Sequence, residues 1–156
     1  CRFYEGLVRV PLIISWPGRF GEGEVSDALV ELTDLAPTLY EAVGEEIPHY
    51  VQGRSLVPIL QGETGEHHEF VRSEFYGAIA YPDQTHATMI RDKRHKYVRY
   101  HGKDVCELYD LEDDPWEHKD LSEDEGSRDV LMQMMEKNLD ATAMTYSKGS
   151  ERVNHY

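Results

Sequence analysis

Histidines are the residues of this sequence that first suggest chemistry, because imidazole can bind a metal ion or transfer a proton near neutral pH. The chain has eight of them, including His67, His68, His86, His95, His101 and His118. His67 and His68 are adjacent on a predicted loop, whereas a helical metal site uses two histidines at i and i+4 on one face. We expect adjacent side chains on a loop to point in different directions. The sequence therefore predicts surface histidines and no metal site.

The sequence patterns of familiar reaction centres are absent. There is no Gly-x-Ser-x-Gly nucleophile elbow, no Gly-x-x-x-x-Gly-Lys phosphate loop and no Gly-x-Gly-x-x-Gly fingerprint. The two cysteines, Cys1 and Cys106, are too few for a disulfide framework and are expected to be free thiols. Taken by themselves, these residues predict no catalytic group in the chain.

The charge balance excludes some classes of partner. The 156 residues include 16 Lys and Arg against 30 Asp and Glu, which gives a net charge of −14. This charge argues against nucleic acids and anionic membranes, and no apolar run approaches the roughly 20 residues of a membrane span. One cationic cluster interrupts the acidic sequence: Arg91, Lys93, Arg94, Lys96, Arg99 and Lys103. We expect it to be a solvated surface, with an anionic ligand as the alternative.

The first half of the chain predicts one buried strand and two helices. Residues 10–14 are apolar without alternation, which is typical of an inner strand with both faces buried. A helix is predicted over residues 33–44, with Thr33 as its N-cap and Gly44 as its left-handed C-terminal residue. Its expected apolar face consists of Leu35, Leu39 and Val43. A second, short helix is predicted over residues 56–60, ended by Gly62.

The second half predicts an antiparallel meander followed by a helix. Short alternating runs at residues 70–75, 87–90, 96–100 and 107–111 are separated by polar turns. Asp110 or Asp113 is expected to cap the turn after the last strand through side-chain to backbone hydrogen bonds. The helix is predicted over residues 129–145, and its packing stripe is Leu131, Met134, Met135, Asn138, Leu139 and Thr142.

Six blocks of residues follow one another over about residues 2–122. They are Tyr4-Glu5-Gly6-x-x-Arg9-Val10-Pro11, Trp16-Pro17-Gly18, Asp34-Leu35-Ala36-Pro37-Thr38-Leu39, Gly53-x-Ser55-Leu56, Met89-Ile90-Arg91 with Lys96-Tyr97, and Glu107-Leu108-Tyr109-Asp110-Leu111-x-x-Asp114-Pro115-x-Glu117. In this order they resemble the C-terminal part of a type I, formylglycine-dependent sulfatase of the alkaline phosphatase superfamily.

The resemblance implies an α/β fold. Residues 1–66 are expected to be the end of a catalytic domain built on a large mixed α/β sheet. Residues 67–147 are expected to form a small α+β subdomain with an antiparallel sheet of three or four strands and a C-terminal helix. Residues 148–156 are a predicted tail. In such enzymes the small subdomain resembles a wall beside the substrate pocket.

The resemblance also implies hydrolysis of sulfate esters, in a sulfated carbohydrate or an aryl sulfate. The family uses formylglycine, made from Cys or Ser in a Cys/Ser-x-Pro/Ala-x-Arg pattern, together with Ca²⁺. Cys1 is followed by Arg2-Phe3-Tyr4 and does not fit that pattern. We expect the nucleophile, the metal carboxylates and a sulfate-binding lysine upstream, in a missing N-terminal part of the same enzyme. This chain is then inactive alone and binds neither cofactor. The family suggests a periplasmic, secreted or lysosomal location.

Within this frame, His86 and Arg91 are the first candidates for substrate contact, and Arg72 and Tyr76 are the next. An arginine can bind a carboxylate or sulfate with two hydrogen bonds, and a histidine can donate to a sugar hydroxyl. Both first candidates lie on or beside the strand that follows the loop at residues 81–83. As an alternative, Arg91 pairs with an acid of a neighbouring strand. Tyr4, Glu5 and Arg9 are expected to support the site by positioning the preceding turn.

Two other functions stay open. The same superfamily contains phosphate and phosphonate monoester hydrolases, and none of the 156 residues separates these from sulfatases. The chain could also be a non-catalytic module that holds an acidic glycan on its cationic cluster. The unpaired inner strand at residues 10–14 argues against such an independent module, because a strand of this kind needs neighbours.

Overall fold

The computed structural model describes residues 2–77 and 85–145. Residues 2–13 and 69–141 form one compact unit, here called the sheet unit, and residues 14–68 and 142–145 belong to a second, called the helical unit. Cys1, the predicted loop at residues 81–83 and the predicted tail lie outside the described residues. No helix within those ranges is long and apolar enough to cross a lipid bilayer.

The sheet unit confirms the predicted meander. Its strands are β1 (Val71–Tyr76), β2 (His86–Arg91), β3 (His95–His101) and β4 (Val105–Asp110). They pair antiparallel in the order β1-β2-β3-β4. The tight β3–β4 turn contains Gly102 at φ +72°, in the left-handed region where a side chain is disfavoured.

The two faces of this sheet carry separate apolar cores, because side chains alternate along each strand. On one face, Ala87, Met89, Val98 and Tyr100 pack around Phe3. That residue precedes α1 (Glu5–Val8), a single helical turn. On the other face, Ile90, Tyr97 and Leu108 pack against Met134 of α4 (Arg128–Thr145). The register fixes which residues share a face, and hence which can meet in a site.

The packing stripe predicted for α4 is only partly correct. Met134 and Asn138 are buried, and the Asn138 side chain donates to the Thr88 hydroxyl over 2.9 Å. Met135 and Leu139 are exposed instead. The helix packs on the sheet along the narrower line of Val130, Leu131, Met134 and Ala141.

The helical unit contains α2 (Leu35–Val43) and α3 (Val57–Leu60). Gly44 ends α2 at φ +79°, as predicted. Thr33 is not the N-cap: it lies inside a 3-10 turn, Leu32–Asp34, that precedes α2, and Glu31 and Asp34 form a capping box there. The predicted apolar face is also wrong for this chain. Leu39 and Val43 are exposed, whereas α2 buries Pro37 and Thr38.

Residues 10–14 form no strand, contrary to the local pattern. Val10, Leu12 and Ile13 are exposed, and Ile13 retains 90% of its accessible surface. A strand needs partners for its backbone groups, and the described residues place no other strand beside this run. The apolar run therefore indicates that burial of residues 10–14 is favourable, but it does not form a strand without a partner strand.

Candidate functional site

A buried lysine organises the face of the sheet that carries Phe3. Lys96 is fully buried, because β3 places it on the same face as the core residues Val98 and Tyr100. Its ammonium group donates to the Phe3 carbonyl over 2.9 Å and to Glu117 Oε1 over 2.8 Å. Glu5 Oε1 lies 2.6 Å from the same nitrogen. The expectation that the cationic cluster is a solvated surface is wrong for Lys96, because three oxygens replace its water.

Glu117 connects this lysine to the Tyr-Glu-Gly block. Its Oε2 accepts a hydrogen bond from the Glu5 backbone N–H over 2.7 Å, while its Oε1 binds Lys96. Glu117 has φ +57°, an uncommon conformation for a residue with a side chain. The turn after β4 thus holds a buried carboxylate against α1, and Lys96 and Glu117 together fix where α1 begins.

The residues expected to support the site differ in what they contact. Glu5 forms ion pairs with Lys96 and, over 3.3 Å, with Arg91 Nε. The Tyr4 ring lies 6.4 Å from that of Tyr109. Arg9 is exposed and donates to the Glu5 carbonyl only through its backbone N–H. Arg91 therefore pairs with an acid of α1, not with one of a neighbouring strand.

A second charged group lies on the same face. Glu107 accepts from Arg2 and from the Tyr100 hydroxyl, the latter over 3.2 Å. Burial and then the negative charge of Glu107 raise the pKa of Tyr100 to about 12. Tyr100 is therefore a neutral hydrogen-bond donor at physiological pH.

The four candidate substrate residues do not form one group. Tyr76 and His86 face each other across β1 and β2, with ring centroids 5.4 Å apart. Arg72 shares their face but lies four positions from Tyr76, roughly 13 Å along the strand, and its side chain pairs with Glu74. Arg91 is on the opposite face, with Lys96. Only Tyr76 and His86 could contact one small ligand group together.

A further cation of the cluster, Arg94, is engaged by acids. Arg94 donates to Asp110 Oδ2 through two nitrogens, at 3.0 and 2.8 Å, and approaches Glu112 and Asp113. Asp110 Oδ1 accepts from the backbone N–H groups of Glu112 and Asp113, which confirms the predicted turn cap. The bonds from Arg94 lower the pKa of Asp110. Three of the six cations, Arg91, Lys96 and Arg94, are thus paired with acids, which counts against the non-catalytic glycan-binding alternative.

A separate cluster lies in the helical unit. Asp34 is fully buried, and its carboxylate accepts backbone N–H bonds from Glu31 and Arg54, each over 2.8 Å. His68 Nε2 is 3.0 and 2.9 Å from the two carboxylate oxygens, and His67 Nε2 is 3.2 Å from Oδ2. Burial alone would raise the pKa of Asp34, but its hydrogen bonds outweigh burial and lower it.

The expectation that the adjacent histidines point apart on the surface is therefore wrong. The loop turns both imidazoles toward Asp34, with ring centroids 4.3 Å apart. Burial, followed by the neighbouring His68, lowers the pKa of His67. No sequence signal indicated this cluster, because Asp34 and His68 are 34 positions apart. The burial of Lys96 did have a signal, namely its alternation with Val98 and Tyr100.

The described residues do not fit the family's calcium centre. Their one group of three or more potential metal ligands is Asp34, His67 and His68. Ca²⁺ takes about six to eight oxygen ligands, whereas this group offers two nitrogens and one carboxylate. Asp34, His67 and His68 are therefore not a calcium centre of that kind.

One pentapeptide does match the spacing of the formylglycine pattern. Ser15-Trp16-Pro17-Gly18-Arg19 reads Ser-x-Pro-x-Arg, although the nucleophile is expected upstream of this chain. The Arg19 guanidinium lies 5.2 Å from the Trp16 ring centroid, and Arg19 N donates to the Trp16 carbonyl. The segment is an exposed turn held by its own side chains. The spacing alone carries no nucleophile assignment here.

The cysteine prediction holds where the structure describes it. Cys106 is a half-buried free thiol, and burial raises its pKa. It is therefore not an activated nucleophile.

Comparison with known proteins identifies the family. The model of the family described as N-sulphoglucosamine sulphohydrolase, C-terminal, matches residues 2–144. A Delta 4,5-hexuronate-2-O-sulfatase of Bacteroides thetaiotaomicron is 36% identical over 125 residues, which are 78% of this chain and 26% of that protein. Arylsulfatase K of Xenopus laevis is 33% identical over 163 residues, covering 98% of this chain and 29% of that protein. The chain thus spans about a quarter of the length of these relatives.

Solved structures agree with this result. A 2-O GAG sulfatase superposes with a TM-score of 0.62 at 35% identity, over 76% of this chain and 25% of that one. A phosphonate monoester hydrolase from Silicibacter pomeroyi gives a TM-score of 0.71 at 26% identity, over 82% of this chain and 28% of that one. The four-stranded antiparallel sheet with its C-terminal helix thus belongs to a known architecture: this chain is a C-terminal sulfatase segment, a member of the N-sulphoglucosamine sulphohydrolase C-terminal family.

Proposed function

We propose that the protein containing this chain hydrolyses sulfate esters, and that this chain supplies its C-terminal region. The observation that carries the proposal is the family match over residues 2–144. The substrate is a sulfated small molecule or glycan. A hexuronate-2-O-sulfatase and a 2-O GAG sulfatase among its relatives support a sulfated sugar.

The reacting groups belong to other parts of the intact protein. By the resemblance to this family, formylglycine would supply the nucleophile and Ca²⁺ would supply positive charge beside the sulfate group, both held by residues outside this chain. The chain's own contribution is to hold its segments in position. Lys96 and Glu117 fix the start of α1. The chain that precedes Tyr4 therefore approaches the proposed active site from a fixed position.

Substrate contacts from this chain are proposed for the organic part of the ligand. His86 is exposed on β2 beside Tyr76, where a ring nitrogen can reach a hydroxyl and the two rings provide an apolar edge. Arg72 lies farther along the same face. Arg91 is engaged by Glu5, so its role is to position α1.

The exposed apolar residues of the chain support a partner within the same protein. Ile13, Val25, Leu39 and Val43 are large, apolar and at least 66% exposed. Exposed apolar surface of this kind marks an interface when it forms patches. We propose that the N-terminal part of the intact protein covers these residues and carries the nucleophile.

The proposal is tested by assaying the intact protein on matched aryl sulfate, aryl phosphate and aryl phosphonate monoesters. A higher kcat/KM for the sulfate ester is expected. The similarity to a phosphonate monoester hydrolase makes that activity the second candidate, and a preference for the phosphonate would select it.

The substrate contacts need their own variants. His86→Ala should raise KM for a sulfated sugar more than for a small aryl sulfate, whereas exposed His118, changed to alanine, should leave both values unchanged. Equal kinetics for His86→Ala and the unchanged protein would remove His86 from the substrate site.

A further inference from the structure

Three separate segments of the helical unit converge on one buried carboxylate. Asp34 ends the 3-10 turn before α2, and Arg54 lies in the loop before α3. His67 and His68 lie on the loop after α3, which is held by a bridge in which His68 N donates to the Leu29 carbonyl over 3.3 Å. The positions of these side chains are thus set by backbone contacts, as in a site built before its ligand arrives.

Hydrogen bonding alone does not satisfy this cluster. A carboxylate oxygen has two lone pairs. Asp34 Oδ2 already accepts from Glu31 N over 2.8 Å and from His68 Nε2 over 2.9 Å, and Oδ1 accepts from Arg54 N and His68. The single His68 Nε2–H is shared between the two oxygens, so three donors already occupy most of the carboxylate.

His67 Nε2 nevertheless has no hydrogen-bond partner of acceptable geometry. The atom is buried, and its side chain keeps only 4% of its accessible surface, yet it points at Asp34 Oδ2 from 3.2 Å. Leaving a buried polar atom unpartnered is unfavourable and calls for an explanation. A cation between the three groups would satisfy both imidazole nitrogens at once.

The distances fit a small divalent ion. Zinc binds His nitrogen and carboxylate oxygen at about 2.0–2.2 Å, so neighbouring ligand atoms in a tetrahedral site are about 3.3 Å apart. The observed nitrogen to oxygen distances are 3.2 Å for His67 and 2.9 Å for His68. A displacement of a few tenths of an ångström would open the cluster to accept the ion.

We propose that Asp34, His67 and His68 form a binding site for one divalent transition-metal ion of the zinc class. Both Nε2 atoms and one carboxylate oxygen are the ligands. Two imidazoles with one carboxylate select zinc or cobalt over calcium and magnesium, which prefer oxygen. The backbone N–H groups of Glu31 and Arg54 keep their bonds to the carboxylate and orient it. The His68 side chain is 23% exposed, which leaves a route for the ion and room for a water ligand.

The bound ion would join the start of α2 to the loop that leads into β1. Its role is structural, and it is separate from the sulfate chemistry proposed above. The metal-site proposal therefore does not depend on the proposed function, and an experiment can contradict either proposal without affecting the other.

The test uses the intact protein, stripped with a chelator and titrated with Co²⁺ as a spectroscopic probe and with Zn²⁺ by calorimetry. The comparison includes the double variant His67→Gln/His68→Gln and the control His118→Gln, which changes an exposed histidine outside the cluster. We expect the unchanged protein to bind one equivalent of Zn²⁺. The affinity of the double variant for Zn²⁺ should be about a hundredfold or more lower. The intense visible bands of four-coordinate Co²⁺ should be absent in the double variant, while the control retains the Zn²⁺ affinity and the Co²⁺ bands.

Equal stoichiometry and affinity in all three proteins would overturn the proposal. Because the double variant could fold poorly, X-ray absorption at the zinc edge of the unmodified protein provides an independent readout. Scattering from two imidazoles in addition to oxygen ligands is expected. A zinc environment without imidazole, or no zinc bound at micromolar concentration, would show that the histidines only surround Asp34.

Discussion

Replacing Lys96 by methionine tests whether the buried network holds α1 in place. Methionine keeps much of the length of the side chain and removes only the ammonium group. In the unchanged protein that group lies among the Phe3 carbonyl, Glu117 Oε1 and Glu5 Oε1, at 2.6–2.9 Å. The Glu117 side chain is 2% exposed and that of Glu5 16%, so water cannot replace the lost partner.

The expected magnitude follows from the charges left behind. Two cations, Lys96 and Arg91, face two anions, Glu5 and Glu117, and the variant leaves one negative charge uncompensated. Removing one partner of a buried ion pair costs about 3–5 kcal/mol, compared with about 0–1 kcal/mol for an exposed pair. Since about 1.4 kcal/mol corresponds to a factor of ten, protection should fall about a hundredfold to several thousandfold.

Hydrogen exchange followed by mass spectrometry measures this loss locally, in peptides that cover α1 and β3 of the intact protein. Lys119→Met is the matched control, because Lys119 is exposed and forms no ion pair with the described residues. Adding Glu117→Gln to Lys96→Met should restore part of the protection, since it removes the uncompensated charge. A change below about fivefold in Lys96→Met, or no recovery in the double variant, would show that the network contributes no more than a surface pair.

Two further substitutions test the turn after β4 and the loop before α3. Asp110→Asn should lower the free energy of unfolding at pH 7 and make that free energy depend less on acid pH. The pKa of Asp110 in the folded protein lies below the unfolded value of about 3.9. The ionised carboxylate therefore contributes stability above that value, and this contribution is lost as the pH falls through the folded pKa. Urea unfolding between pH 2 and 7 measures this, with exposed Asp27→Asn as the control, and equal acid dependence in both variants would contradict it. Gly53→Ala should destabilise more than Gly62→Ala, because a Cβ at Gly53 would lie 2.4 Å from the Thr33 carbonyl oxygen, whereas none of the surrounding atoms is within 4 Å at Gly62. Both glycines have positive φ, so the left-handed cost of about 1–2 kcal/mol cancels in the comparison, and equal melting temperatures would refute the clash.

Local patterns predicted the elements whose determinants are local. The four strands, the left-handed Gly44 and the Asp110 cap depend on alternation and on turn residues within a few positions. Residues 10–14 show the limit of this reasoning: an apolar run states that burial is favourable, but pairing requires another strand. Alternation with Val98 and Tyr100 could indicate that Lys96 is buried, but not its partners, which lie 21 and 93 positions away. No local pattern contains the convergence of His67 on Asp34, 33 positions away.

The distribution of charge indicates how this segment can serve a reaction on an anion. A sulfate group is stabilised by cations that are free to approach it, and in this chain 16 Lys and Arg stand against 30 Asp and Glu that can pair with them. In the sheet unit, Lys96 and Arg91 are compensated by Glu5 and Glu117, and Arg94 is compensated by Asp110. Redirecting any of them to a ligand would leave its carboxylate partner unpaired. We infer that these cations hold segments in position, and that under the proposed function attraction of the sulfate falls to residues elsewhere in the intact protein.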